Sequence, residues 1–251
     1  MTAPLPDLPY SEDTLLGGRV SLRQPRHGYR AAIDPVLLAA AVPAGAIDTV
    51  LDIGCGVGAA ALCLARRVDG CRVTGIETQR DLVHLANDNV ALNGLSGRVV
   101  AVQGDLLRPP PRLEPGSFSH VMANPPFLES GAASVSPDVM KAAANIEGEA
   151  DLAAWVRFAL LMARPKGSIT FIHRADRMEQ LLAQLAGRAG EIVVFPLWAG
   201  VEKPAKRIIL RVRKSVATPT RLTPGLVLHE PDGRYTPAAE AVLRGGAALQ
   251  L

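Results

Sequence analysis

The chain has 251 residues, a formal net charge of +3 and 48% hydrophobic residues. This length suits one large α/β domain with additions, and the apolar fraction is ample for a core. The apolar stretches are short or broken by charge, Pro or Gly, so we expect no membrane span. The Pro-rich N-terminus carries Asp7, Glu12 and Asp13 and does not fit a secretory signal, so we expect a cytoplasmic protein.

Cysteine and histidine form no pattern typical of a metal site. Cys55, Cys63 and Cys71 follow one another at a spacing of eight, which matches no zinc pattern. The five histidines are dispersed along the chain. We therefore interpret the cysteines as buried or half-buried thiols in a reducing cytosol, and we expect no metal.

The first half of the chain predicts a parallel sheet. A short strand is expected before residue 20, and a helix follows at 35–41. Residues 47–128 then contain four strand–helix units at the spacing expected for parallel pairing. Their strands are predicted at 50–53, 72–76, 99–102 and 118–123, with the first intervening helix at 59–67.

Three alternating glycines, Gly54, Gly56 and Gly58, follow the first of these strands. Glycines let the backbone approach a ligand closely at a helix N-terminus, and such loops occur in many nucleotide binders. A dinucleotide enzyme is one interpretation. Against it, the spacing GxGxxG is absent, and Asp52 stands two residues before the first glycine.

Polar residues follow each of the four strands in turn. Glu77 closes the second strand and is placed to accept two ribose hydroxyls, or it is a solvated acid at a strand end. Asp105 follows the third strand as a ligand contact or a capping residue. Asp52 and Asn124 complete the series. Ligands of open parallel sheets bind outside the carboxyl ends of the strands, so we expect these side chains at one site.

The tetrapeptide Asn124-Pro125-Pro126-Phe127 is the most informative motif. The prolines hold Asn124 extended and stiffen the turn. The Asn124 amide oxygen and the Pro125 carbonyl can each accept one hydrogen of a planar amino group. The Phe127 ring can stack on the flat group that carries the amine. Taken alone, the tetrapeptide is also compatible with a stiff loop.

Together the glycine motif and this tetrapeptide resemble the class I S-adenosylmethionine-dependent methyltransferases that modify amino groups. The run at 28–38, with Asp34, is similar to the cofactor-covering segment of the bacterial tRNA adenine-N6 methyltransferases that act on valine tRNA beside the anticodon. The tail at 228–237 is also similar to some members, so the resemblance covers essentially the whole chain. It implies the cofactor S-adenosyl-L-methionine and an RNA substrate, with transfer to adenine N6.

The resemblance also implies roles for individual residues. Gly54, Gly56 and Glu77 would hold the cofactor and Asp105 would contact its adenine, while Asn124 and Phe127 would orient the target amine. The full set of cofactor-binding candidates is Asp34, Asp52, Gly54, Gly56, Gly58, Glu77, Asp105 and Asn124. Pro125 joins Asn124 and Phe127 as a catalytic candidate. No strong general base is required, because the sulfonium carries an excellent leaving group.

The second half of the chain completes the expected fold. Residues 129–148 carry no periodicity and form either a lid over the substrate or a variable insertion. Further elements are predicted at 149–163 (helix), 168–173 (strand), 175–188 (helix), 192–197 (strand) and 206–213 (strand). The prediction is an α/β, Rossmann-like doubly wound fold, whose mostly parallel seven-stranded sheet has a terminal antiparallel strand. We expect a single domain at 1–251, with the cofactor-covering segment at about 1–46 and a basic C-terminal extension at about 203–251.

Positive charge is concentrated in two segments. Residues 203–221 contain seven basic residues and no acidic one, and a second cluster lies at 19–30. Such clusters are either solvated faces or a footprint for a phosphate backbone. Other substrates with a planar amino group also remain open, namely a protein glutamine amide or guanine N2 in ribosomal RNA. A non-catalytic Rossmann-like module that binds a nucleotide or RNA is a further alternative.

Overall fold

The computed structural model of the protein describes residues 9–27, 30–126 and 150–251. Phe127 and the segment at 129–148, expected to be a lid or a variable insertion, lie outside the described residues. The helices are α1 (Asp34–Ala41), α2 (Ala59–Arg67), α3 (Arg80–Leu92), α4 (Leu152–Met162), α5 (Met178–Leu185) and α6 (Pro237–Leu243). Short 3-10 turns occupy Leu16–Gly18 and Ala175–Arg177.

The strands group into one large sheet and one hairpin. They are β1 (Tyr10–Leu15), β2 (Val20–Pro25), β3 (Thr49–Ile53), β4 (Arg72–Glu77), β5 (Val99–Gln103), β6 (Phe118–Ala123), β7 (Ala163–Arg174), β8 (Ala189–Trp198), β9 (Ala205–Lys214), β10 (Arg221–Leu222) and β11 (Leu226–Val227). The large sheet has the order β10-β8-β9-β7-β6-β3-β4-β5, and β11 also pairs with β8. Strand β9 runs antiparallel to its neighbours β7 and β8, whereas the other pairings in this sheet are parallel.

This topology confirms the predicted fold class. Strands β3 to β9 are the seven expected strands, and two short strands extend the sheet beyond β8. The chain moves outward from β3 through β4 to β5 and then returns to β6 on the other side of β3. The crevice between β3 and β6 is therefore a topological switch point, where open α/β sheets bind their ligands.

Helices cover both faces of the sheet because successive strand residues point to opposite faces. Val50 of β3 and Met122 of β6 belong to the apolar cluster that includes α1 and α2. Leu51, Ile53 and Val121 belong to the cluster that includes α4 and α5. Burial on two sides thus explains why β3 and β6 carry apolar residues on both of their faces.

The N-terminal segment forms a hairpin where the sequence predicted one short strand. Strands β1 and β2 pair from Tyr10 opposite Pro25 to Leu15 opposite Val20. Val20 and Leu22 are buried against the helical layer that contains α2. This hairpin packs on helices rather than on the main sheet, and that tertiary placement leaves little trace in the local sequence pattern.

Strand β9 carries most of the basic run. This strand lies inside the sheet, between β7 and β8. Ile208, Leu210 and Val212 are buried there. Arg207 pairs in register with Arg174 at the end of β7, whereas Arg213 pairs with Ser168 near the opposite end. The run is therefore divided between two edges of the sheet, and the expected single-domain boundaries stay a prediction.

Candidate active site

A cavity of about 210 Å³ opens at the carboxyl ends of β3, β4 and β6. Six of the residues predicted for the site line this cleft: Asp52, Gly54, Gly56, Glu77, Asn124 and Pro125. Their strands are fixed side by side, because Ile53 pairs with Ile76 of β4 and with Ala123 of β6. The structure thus brings the glycine turn, the acid after β4 and the start of the tetrapeptide into one cleft.

The three glycines of the turn differ in their surroundings. All adopt the left-handed backbone region, with φ of 68° at Gly54, 54° at Gly56 and 85° at Gly58. A Cβ on Gly54 would lie 2.5 Å from the indole ring of Trp155, and one on Gly58 would lie 3.5 Å from Ala86. A Cβ on Gly56 would meet no described atom within 4 Å. Gly56 is therefore the glycine that faces the open cradle. Gly54 is required by its contact with Trp155, whereas Gly58 is favoured by its left-handed backbone alone.

Glu77 fastens the glycine turn to the end of β4. This residue is 8% exposed, and its Oε2 accepts a hydrogen bond from the Gly56 N–H at 3.1 Å. Its Oε1 accepts from the Gln79 N–H at 3.0 Å and from the Thr78 hydroxyl at 3.2 Å. A carboxylate has about four acceptor positions, so Glu77 retains capacity for ligand hydroxyls.

Asp52 places a buried carboxylate on the wall of the cleft. It is 3% exposed, and its Oδ2 has no hydrogen-bond partner among the described residues. Burial raises the pKa of Asp52 to about 7; the backbone N–H of Ala61 opposes this rise, and the charge of Glu77 adds to it. An unpartnered buried carboxylate oxygen fits a cationic ligand. S-adenosyl-L-methionine carries an ammonium and a sulfonium, so the residues present fit the expected cofactor.

The tetrapeptide begins directly after β6. Asn124 is half-buried, and Asn124, Pro125 and Pro126 all line the cleft. Strand β6 lies between β3 and β7, with Ala123 opposite Ile53 and Phe171. The amide is therefore held at the centre of the sheet edge, on the strand next to the glycine turn.

Three predicted cofactor residues are not on the cleft wall. Gly58 is turned toward Ala86, as described above. Asp34 begins α1, and its Oδ2 lies 3.2 Å from the Arg207 Nε of β9. Asp105 accepts a hydrogen bond from the Leu107 N–H at 2.8 Å, and its other oxygen is 3.5 Å from Arg108. The neighbours of Asp105 in sequence line the cleft, so its contact with the cofactor adenine stays a prediction.

Several cleft residues escaped the sequence-based prediction. They are apolar residues from helices, from the end of the hairpin and from loops: Pro25, Ala31, Leu38, Leu82, Leu106 and Trp155. The periodicity of α4 identified Trp155 as a core residue but gave no sign that it contacts the glycine turn. Within ranges 9–27, 30–126 and 150–251, no cluster of three His, Cys, Asp or Glu residues suited to a metal ion was found. No helix in those ranges is long and apolar enough to cross a membrane.

We predict that Gly56→Ala weakens S-adenosylmethionine binding, because its Cβ would occupy the open cradle. Gly94→Ala is a matched control, since Gly94 has a φ of 64° and a Cβ there would also meet no described atom within 4 Å. Both variants carry the same left-handed backbone strain, but Gly94 lies outside the cleft lining. Calorimetric titration should show a lower affinity for S-adenosylmethionine in Gly56→Ala but not in Gly94→Ala. Equal affinities for the two variants would remove the turn from the site.

We also predict that cofactor affinity depends on pH through Asp52. In the free protein this carboxyl has a pKa of about 7, so below that pH it is largely protonated. A cation beside it favours the ionised form, so binding below pH 7 must release a proton. The affinity should rise with pH, by at most about tenfold per unit, and level off above about pH 7. Titration of wild type and Asp52→Asn at a series of pH values checks this, and the same slope in both proteins would contradict it.

Comparisons with known proteins identify the family. The family model described as methyltransferase small domain matches residues 32–149. A tRNA1(Val) (adenine(37)-N6)-methyltransferase of Porphyromonas gingivalis is 31% identical over 233 residues, which are 87% of this chain and 89% of that protein. A protein of the same name from Tolumonas auensis is 26% identical over 218 residues, covering 85% and 88% of the two chains.

Solved structures support the fold. A protein described as a predicted O-methyltransferase from Agrobacterium tumefaciens matches with a TM-score of 0.72 at 22% identity, covering 86% of this chain and 98% of that one. A tRNA (m1A58) methyltransferase from Aquifex aeolicus matches with a TM-score of 0.56 at 13% identity, covering 77% and 73%. The chain is therefore an S-adenosylmethionine-dependent methyltransferase, and it belongs to the family of the tRNA1(Val) (adenine(37)-N6)-methyltransferases.

Proposed function

We propose that this protein transfers the methyl group of S-adenosylmethionine to the N6 amino group of an adenine in tRNA, beside the anticodon, in the cytoplasm. The observation that carries this proposal is the position of Asn124 and Pro125 on the wall of the cofactor cleft, one strand away from the glycine turn. The choice of tRNA and of adenine as the substrate rests on the names of the relatives. The choice of an amino group as the methyl acceptor rests on the geometry of the cleft.

The reaction requires that the protein make the adenine amino group more nucleophilic than it is in solution. The lone pair of an exocyclic adenine nitrogen is delocalised into the ring, which makes it a weak nucleophile. The Asn124 amide oxygen and the Pro125 carbonyl each accept one amino hydrogen, which favours a lone pair directed at the methyl group. The same acceptors stabilise the positive charge that develops on nitrogen during attack. Pro125 has no N–H, so its place in the turn exposes an acceptor without a competing donor.

Positioning accounts for the rest of the catalysis. The bound sulfonium supplies the methyl group and a good leaving group. The protein must hold the nitrogen in line with the methyl carbon at about 3–3.5 Å. An adenine in RNA must leave its stack to reach a cleft of this kind, and unpaired loop bases do so at least cost. An anticodon loop offers such bases.

The direction of β9 separates the basic residues into two groups. Lys203 and Lys206 are exposed and lie at the start of β9, which is the edge of the sheet where β6 and β7 end. Lys166 and Arg188 are also exposed, but they lie at the opposite edge, near the start of β7 and just before β8. The cleft opens at the edge of the sheet that carries Lys203 and Lys206. An RNA whose base enters the cleft would therefore run close to these two lysines and away from Lys166 and Arg188. We propose that the first pair contacts phosphates.

For the chemical step, we predict that Asn124→Ala lowers the single-turnover rate on tRNA by about 10²–10³ with cofactor saturating. Its affinity for S-adenosylmethionine should stay within a few-fold of wild type, because Asn124 serves the amine rather than the adenosine of the cofactor. Asn124→Asp is the matched control, since a carboxylate retains the acceptor oxygens. It should keep more activity than Asn124→Ala. A near wild-type rate for Asn124→Ala would refute the role given to this tetrapeptide.

For the RNA surface, we predict that Lys203→Glu with Lys206→Glu weakens tRNA binding and makes it less dependent on salt. The slope of log affinity against log salt should fall by about one per lost phosphate contact. Lys166→Glu with Arg188→Glu has the same change in charge at the opposite edge and should leave the slope nearly unchanged. Equal effects of the two double variants would mean that net charge, rather than this surface, governs binding.

A further inference from the structure

Asn89 of α3 and Asn93, which caps the C-terminal end of α3, hold the N-terminal hairpin as a neighbouring strand would. The Asn89 Oδ1 accepts the Arg23 N–H at 2.8 Å, and its Nδ2 donates to the Arg23 carbonyl at 2.8 Å. One helical turn later, the Asn93 Oδ1 accepts the Ser21 N–H at 2.9 Å, and its Nδ2 donates to the Ser21 carbonyl at 2.7 Å. The two side-chain amides therefore satisfy alternate residues of β2, which would otherwise leave backbone groups unpaired at a helix surface.

Asn89 differs from Asn93 in its third hydrogen bond. The Asn89 Nδ2 also donates to the Val57 carbonyl at 3.0 Å, and Val57 stands between the second and third glycines of the turn. The third bond of Asn93 goes to the Asn89 carbonyl within the same helix, at 2.7 Å. Asn89 is fully buried. One side chain thus joins the glycine turn, α3 and the hairpin.

The hairpin continues into the other wall of the cleft. Pro25 ends β2 and lines the cleft, and Ala31 lines it a few residues later. The Gln24 Oε1 accepts the Ala31 N–H at 2.8 Å, and the Gln24 Nε2 donates to Asp13 at 3.0 Å. Asp13 also pairs with Arg30 at 2.6 Å. The segment that leads to α1 is therefore fastened to the hairpin, and the hairpin is fastened to Asn89.

We propose that Asn89 is a positioning residue for the cofactor, which holds the glycine turn and the hairpin wall in one fixed relation before the cofactor arrives. This inference rests on the use of the cleft for S-adenosylmethionine. Such preorganisation matters because only protein in the binding-competent arrangement takes up the cofactor. The apparent dissociation constant of the cofactor is therefore inversely proportional to the fraction of protein in that arrangement. Asn89 touches neither the cleft nor the reacting atoms, so it acts only through Val57 and Arg23.

The test compares Asn89→Ala with Asn93→Ala. Each variant removes two hydrogen bonds to the backbone of β2. Asn89→Ala also removes the hydrogen bond to the Val57 carbonyl in the glycine turn, whereas Asn93→Ala also removes the one to the Asn89 carbonyl in α3. Asn89→Ala should raise the dissociation constant and the KM for S-adenosylmethionine by about tenfold or more, the effect of leaving buried polar groups without partners. At saturating cofactor its kcat should return to within about twofold of wild type, because bound cofactor restores the arrangement. Asn93→Ala should keep the cofactor affinity within about threefold of wild type.

The outcomes separate this inference from the proposed function. A wild-type protein that binds no S-adenosylmethionine would refute the assignment of the cleft itself. If wild type binds and both variants lose affinity equally, or Asn89→Ala loses none, the positioning role is wrong and Asn89 serves stability alone.

A second measurement uses only the wild-type protein and remains decisive if Asn89→Ala does not fold. Hydrogen exchange is followed with and without S-adenosylmethionine. The Arg23 N–H, which Asn89 holds and which does not line the cleft, should exchange more slowly when the cofactor is bound. Protection confined to the amides of the glycine turn would overturn the proposal.

Discussion

The hydrogen bond from the Gly56 N–H to the Glu77 carboxylate is the contact on which the site depends. It ties the turn after β3 to the end of β4, and it needs the left-handed backbone of Gly56. A residue with a Cβ at this position would be strained and would fill the cradle, so we expect the same glycine to serve both the turn and the ligand. Glu77 is consequently oriented by the backbone before any ligand hydroxyl reaches it.

The electrostatics of the cleft follow from this arrangement. Glu77 and Asp52 lie at the ends of neighbouring strands and are both buried, so Asp52 is costly to ionise and its pKa rises to about 7. A ligand that brings positive charge relieves this cost. We therefore expect the cleft to bind a cationic cofactor more tightly than its neutral analogues. The residues proposed to accept the hydrogens of the target amine, Asn124 and Pro125, line the same cleft and carry no charge.

Much of this site could be predicted from the sequence, because its key residues follow directly from strand ends. Asp52, Glu77 and Asn124 lie where the alternation of strands and helices places them, and α2 has the bounds predicted for it. The reason for each glycine was less visible. Gly54 is required by Trp155, which is distant in sequence, and local patterns carry no information on such a contact.

Other features depend on tertiary structure from the outset. The hairpin has no partner strand in the main sheet, and it is held by the side chains of Asn89 and Asn93, which resemble ordinary polar residues of an amphipathic helix. The alternation of arginines with apolar residues predicts strand β9 but not its place in the sheet. Only its insertion between β7 and β8 reveals that the charges divide between two edges of the sheet. The contribution of Phe127 stays a prediction, as does that of Asp105.

The central claim is that this cleft methylates an adenine amine of tRNA. It is tested most directly by incubating the protein with isotopically labelled S-adenosylmethionine and fractionated tRNA, followed by mass spectrometry of the nucleosides and of fragments that locate the label. The account predicts labelled N6-methyladenosine beside the anticodon of valine tRNA. Label in N2-methylguanosine, in protein glutamine or in no acceptor at all would contradict it.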